Sequence, residues 1–458
     1  MFCISFFSYG VNVMLKNLAF TLFLLSCGNA GAEQVRQNIE HILENGLRVV
    51  LVETTATNVV RAALCVSAGS ADEIDKVGTA NLLSKVLAAK FMTGMNDNSV
   101  QYASESSTSV GYDQSIYYFC GTVGNLGSFL KSFGGLLNDS SVSDGDIEEA
   151  KKAVLRSIAT SNEKLLDHSV ATREARKCMY WHSGYGPDGE GTVDGVQLIS
   201  PEDVMKFKNS HYSPENAVLV LCFDPNKVNP KNVMALVQQE FGQLLKAPNV
   251  KEVRLQEPDH HGSVVTIMKS SDQVSVPVVE LYYHVPNFNK QRARALNTEV
   301  YLRYLDKALH KSLVVDLKVA TSIAFTYALW NKDSGDFCVS ITLGKGIELN
   351  EALTAITSEI KYIASENISK EQLGEATRLV FGANSYEGVD IGDVLDKLMQ
   401  RLGAGQSLNS LKGIGEEANK CSLGEVCKQG RDIFSKDPAV ICILKPQPPA
   451  AGGSSSAQ

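Results

Sequence analysis

Basic charge is in deficit in this 458-residue chain: 43 Lys and Arg stand against 51 Asp and Glu, a net charge of −8. A dedicated nucleic-acid binder carries the opposite balance, so that class is excluded. Long apolar runs are missing as well. The run near the N-terminus, Leu18 to Gly28, falls short of the about 20 residues a membrane span needs, and no later segment is longer and as apolar. Signatures of common chemistry are absent too. There is no G-x-S-x-G around a serine and no phosphate-cradling glycine loop. The eight histidines are His41, His168, His182, His211, His260, His261, His284 and His310, and no two share the spacing that turns a pair toward one ion on a helix. Among ten cysteines, Cys421 and Cys427 are close enough to pair in an oxidising compartment but match no zinc spacing. With 44% hydrophobic and 21% charged residues, wholesale disorder is excluded. A large globular protein remains.

Residues 1–32 hold one charge, Lys16, then the apolar run and the small-residue site Ala30-Gly31-Ala32. That layout predicts a secretory signal peptide cleaved near Ala32, with translation starting at Met1 or Met14. A mitochondrial transit peptide would be arginine-rich, and this stretch has no arginine. Leu24-Leu25-Ser26-Cys27 leaves lipid anchoring at Cys27 as a second reading, against which the bulky Leu25 speaks.

Periodicity divides the chain beyond Ala32 into two similar halves. Alternating apolar residues predict strands within 47–69 and over 114–123, with helices over 78–91, 127–137 and 144–159. The order returns as strands over 263–268, 278–284, 322–329 and 336–343 and helices over 291–317 and 349–366. SDGDIEEAKKAV at Ser143 to Val154 is echoed by SKEQLGEATRLV at Ser369 to Val380, 226 positions on. So long a period indicates a duplicated domain rather than a solenoid of about 20–50-residue repeats. Cys65, Cys120, Cys222, Cys338 and Cys442 each fall inside an apolar strand, where a buried thiol acts as a small hydrophobe.

The segments VSAGSADEIDKVGTANLLSKVLAA (Val66 to Ala89), STSVGYDQSIYYF (Ser107 to Phe119), FKNSHYSPENAVLVLCFD (Phe207 to Asp224) and PAVICILKP (Pro438 to Pro446) resemble, in order and spacing, the pitrilysin/insulinase-type peptidases. That inverzincin family includes the mitochondrial processing peptidase and the core subunits of the cytochrome bc complex. The resemblance implies an α+β fold of two homologous α/β-sandwich halves, each a mixed sheet with helices packed on one face, forming a clamshell. It sets expected boundaries: signal peptide 1–32, N-terminal domain 33–244, linker 245–261, C-terminal domain 262–446 and tail 447–458.

Active members of that family carry H-x-x-E-H on the first long helix, with two zinc-binding imidazoles and a glutamate base. The aligned residues here are Asn81, Ser84 and Lys85. The third-ligand position is Ser157, and the neighbouring acidic position is Ala150. A catalytic zinc takes three protein ligands, so the expectation is no metal, no cofactor and no catalytic residue of the chain's own. The Arg/Tyr pair that grips the scissile peptide in relatives falls at Asp316 and Ile323 and is lost as well. Capture of extended peptide on an edge strand needs only main-chain hydrogen bonds. The family's cleft-bordering strand corresponds to Ser106, Ser107, Thr108, Ser109 and Val110. The expected function is a non-catalytic subunit of a secreted or periplasmic heterodimeric zinc peptidase, paired with an H-x-x-E-H paralogue. The alternatives are a structural core-type subunit of a membrane complex or a stand-alone peptide-binding clamshell.

Overall fold

A computed structural model describes residues 37–447 apart from 56–58, 74–75, 93–107, 139–141, 165–166, 188, 247–253, 256, 258–263, 272–273 and 385–388. Residues 1–36, with Cys27 and Ala32, and residues 448–458 lie outside the described residues.

The first half contains β1 (Gln37–Ile42), β2 (Arg48–Glu53), β3 (Val59–Val66), β4 (Thr108–Val110), β5 (Ser115–Thr122) and β6 (Ala217–Phe223). Its helices are α1 (Thr79–Leu87), α2 (Leu126–Asn138), α3 (Asp144–Lys164), α4 (Asp167–Met179), α5 (Val193–Gln197), α6 (Pro201–His211) and α7 (Pro230–Phe241). The second half contains β7 (Val265–Ser271), β8 (Val278–Val285), β9 (Ala320–Tyr327), β10 (Gly335–Leu343) and β11 (Val440–Pro446). With them come α8 (Arg292–Leu309), α9 (Leu349–Ser365), α10 (Lys370–Asn384), α11 (Ile391–Gly403), α12 (Leu408–Lys412), α13 (Ile414–Ala418) and α14 (Leu423–Phe434).

The strands form two sheets, of order β1-β2-β6-β3-β5-β4 and β7-β11-β8-β10-β9. Strand for strand, β2-β6-β3-β5-β4 repeats as β7-β11-β8-β10-β9. In each sheet the first pair of this repeat is parallel and the other pairs are antiparallel. The helical echo is equally close. Ser143 and Asp146 close a reciprocal cap at the start of α3, and Ser369 and Gln372 close the same cap on α10.

Helices of its own half cover one face of the first sheet: Val49, Leu51, Ala62, Leu64 and Leu219 meet Leu83, Val86, Phe129, Phe133, Val154 and Val237. The opposite face, with Val50, Val52, Ala63, Cys65, Tyr118 and Val220, joins the core of the second half. There α11 lies across β3 and β6, contributing Val394, Leu395, Leu398, Met399 and Leu402. The favour is returned: α4 of the first half lies on β7 and β11, where Ala175 and Met179 meet Val440, Cys442 and Leu444. Strands buried on both faces carry apolar side chains at nearly every position rather than every second one, as in VVRAALCV of β3. All five strand cysteines are buried. Cys421 and Cys427 are free thiols, Cys427 being buried in α14.

Three local features depart from the sequence pattern. β1 was invisible to it, because QNIEHI has no strict alternation; the hairpin to β2 forms it. That hairpin turns at Gly46 (φ 91°), where a Cβ would strike Glu215. The helix expected over 291–317 ends at Leu309 and widens into π-type turns over His310–Asp316. β9 begins at Ala320, two residues before the expected 322, and apolar Leu329 is buried beyond the strand in the following turn.

Candidate functional site

The residues that the resemblance sets against a catalytic ion lie on two packed helices, α1 and α3, beside the strand β4. α1 starts where Gly78, at φ 99°, turns the chain into the helix against Gly191. Its N-terminus is capped at a distance: Glu73 accepts the N–H groups of Gly78 (2.8 Å) and Ala80 (2.7 Å). Burial pushes the Glu73 carboxyl up to about 8, while these two bonds pull it the other way.

Asn81 and Ser84 are buried on α1, with 7% and 1% exposure, and Lys85 is half-buried one turn beyond Asn81. The Ser84 hydroxyl donates to the Asn81 carbonyl at 2.9 Å, so it serves its own helix. Across from them on α3, Ala150 is buried and Ser157 half-buried. Glu148 and Glu149, the nearest carboxylates in sequence, point to solvent and pair with Lys151 (3.1 Å) and Lys152 (2.7 Å) on the same helix.

The family's zinc does not fit this donor set. An amide, a hydroxyl bonded within its own helix, an ammonium, a methyl and a second hydroxyl offer no imidazole or carboxylate. Among the described residues no group of three His, Cys, Asp or Glu side chains could hold a metal ion. His211 lies tilted against Phe207 (4.6 Å between ring centres) and His284 meets Tyr180 edge-on (5.3 Å), which gives both a packing role.

Among the described residues β4 is the outermost strand of its sheet, bonded to β5 through Thr108, Ser109 and Val110, and it packs against α1. Thr108 is buried, and Ser109 and Val110 are partly exposed. Ser106 and Ser107 lie outside the described residues. Asp316 ends the π-type turns on the surface, 3.9 Å from Lys311. Ile323 sits on β9, the corresponding edge strand of the second sheet, opposite Ile341. Neither side chain has the chemistry to hold a peptide carbonyl in place of the family's Arg/Tyr pair.

One polar cluster had no signature in the sequence. Arg254, from the chain between the halves, reaches Asp72 (2.7 Å), Asp113 (2.5 Å) and Asp333 (3.1 Å). Tyr185 donates to Asp113 (2.8 Å), the Lys332 N–H reaches Asp113 (3.0 Å), and the Lys332 ammonium bonds the Ser67 carbonyl. Burial alone would lower the Arg254 pKa; Asp72, Asp113 and Tyr185 hold it raised. Nearby, half-buried Arg176 pairs with Asp336 (2.9 Å) and lies over the Tyr112 ring (4.5 Å). The residues come from separate stretches of chain, so no local motif announces them. The cluster fastens the halves together.

Residues 198–380 match the family described as the peptidase M16 inactive domain. A zinc protease named PqqE from Helicobacter pylori is 22% identical over 424 residues, covering 88% of this chain and 92% of that protein. The chain is a homologue of the M16 peptidases. Among solved structures, a protease from Helicobacter pylori superposes with a TM-score of 0.71 at 19% identity, over 90% of this chain and all of that one. The periplasmic protease PqqL from Escherichia coli gives 0.72 at 14% identity, over 90% of this chain but 48% of its own. These structures share the fold of this chain; the positions that the sequence resemblance sets against a zinc site carry Asn81, Ser84, Lys85 and Ser157.

Proposed function

We propose that the chain is the non-catalytic member of a two-chain zinc peptidase of the M16 type, exported by its leader and paired with a paralogue that carries H-x-x-E-H. One observation carries this reading. The helix pair α1 and α3 keeps its packing, while the positions that would ligate or act as base hold side chains unable to do either. The match to half of the longer PqqL chain supports it, because two chains of the present size would supply the same amount of fold. In such a pair the partner contributes zinc, and this chain contributes walls and the β4 edge, where Thr108, Ser109 and Val110 would hold an extended peptide by main-chain bonds.

Co-expression with the zinc-bearing paralogue tests it: the two chains are expected to co-purify, and peptide hydrolysis to require both. If the chain purified alone cut peptides with one equivalent of zinc, the proposal would be wrong. N-terminal sequencing of the mature protein checks export, with Glu33 as the expected first residue.

A further inference from the structure

Inside the second half, α8, α10 and α11 bring four buried polar atoms together near the end of β9. They are Glu299 Oε2 and Arg303 Nε on α8, Asn384 Oδ1 at the end of α10 and Arg401 Nη1 on α11, and none has a hydrogen-bond partner among the described residues. Glu299 and Arg401 are only 4% and 8% exposed. The groups lie within one another's field. Both guanidiniums and the Asn384 amide act on the Glu299 carboxyl, and Arg303, Glu299 and Arg401 all act on the Tyr327 hydroxyl.

The other ends of these side chains are already held. Arg303 donates through Nη2 to the Tyr327 hydroxyl at 2.6 Å. Asn384 donates through Nδ2 to the Val380 carbonyl at 2.8 Å, which turns its amide oxygen to the remaining groups. The Arg401 guanidinium lies 4.4 Å over the Trp330 ring, itself stacked on Phe288 at 4.0 Å. Two donors and two acceptors are thus left over: N–H groups of Arg303 and Arg401, and oxygens of Glu299 and Asn384.

That balance selects the occupant. A metal ion or an ammonium would face two guanidiniums, and an anion would face a carboxylate and an amide oxygen. An apolar group would leave all four atoms unbonded, at a cost the interior does not normally bear. Water takes two hydrogen bonds and gives two. We infer that one ordered water binds here, accepting from Arg303 Nε and Arg401 Nη1 and donating to Glu299 Oε2 and Asn384 Oδ1. It ties α11, the helix that the second half lays across β3 and β6, to α8 and α10. The site involves none of α1, α3 or β4, so it stands apart from the pairing with a zinc-bearing paralogue.

A crystal structure of the full chain that resolves ordered solvent tests the inference. The expected result is one water within about 3.2 Å of all four atoms, retained in Glu299→Gln, whose amide oxygen still accepts, and lost in Glu299→Met. Urea unfolding reads the same contact in solution. The midpoint should fall in Glu299→Met, which strips the network of an acceptor, and stay nearer the wild type in Glu299→Gln. A Glu299 carboxylate bonded directly to either guanidinium, with no water between them, would overturn the inference. So would a side chain of residues 385–388 seated on these atoms. A bromide anomalous peak at the site after a bromide soak would overturn it as well, because the occupant would then be an anion.

Discussion

Ser84 serves the helix it sits on. Its hydroxyl is almost inaccessible and caps a carbonyl one turn back, where a peptidase would need a carboxylate facing water. Ser84→Glu alone should therefore cost about 1–3 kcal/mol, the penalty for burying an acid without a partner, measurable by urea unfolding. Asn81→His, Ser84→Glu and Lys85→His together should still bind zinc poorly. Adding Ser157→Glu should raise zinc affinity at least tenfold by calorimetry, since α3 packs against α1 and a third ligand completes the set. The packing of Asn81 and Lys85 on one face was legible in the sequence because a helix places i and i+4 together whatever surrounds it. The Arg254 cluster was not legible: Asp72, Asp113 and Asp333 meet only once both halves are folded.

At the scale of elements, the cap of α1 carries a pH dependence. The folded protein keeps the Glu73 proton up to about 8, whereas the unfolded chain releases it near 4.5. Its contribution is fully present below about 4.5 and is lost as pH rises toward 8, by up to ~1.4 kcal/mol per unit. Glu73→Gln should flatten the decline in unfolding free energy between about pH 5 and pH 8 relative to wild type. The close approach of α11 to the first sheet supplies a second test. A methyl group at Gly403 would stand 2.5 Å from the Cys65 sulfur and 3.0 Å from the Gln114 side chain. Gly403→Ala should cost about 1–3 kcal/mol through overpacking. Central strands were readable because burial on both faces leaves a continuous apolar run. β1 was not, because QNIEHI owes its strand to its partner β2 rather than to its own side chains.

Across the whole molecule, the halves share core side chains and a polar seam. Arg254→Met would leave three carboxylates facing one another at the seam, and should lower the unfolding free energy by about 3–5 kcal/mol. Arg254→Lys should recover less than half of that, because a point charge lacks the fork that reaches Asp72 twice and Asp113 and Asp333 as well. Duplication was evident from the echoed segments, but the exchange of α4 and α11 between the halves was not, since apolar helices look alike whichever sheet they cover.

That exchange sets an order of events during synthesis. The first sheet is complete once Phe223 has left the ribosome, yet its second face stays open until α11 emerges, ending at Gly403. At ~5–20 residues per second that interval lasts about 10–40 s. Throughout it Val50, Val52, Ala63, Tyr118 and Val220 face water. A first half expressed alone would keep that apolar face open, and is expected to be less soluble than the full chain.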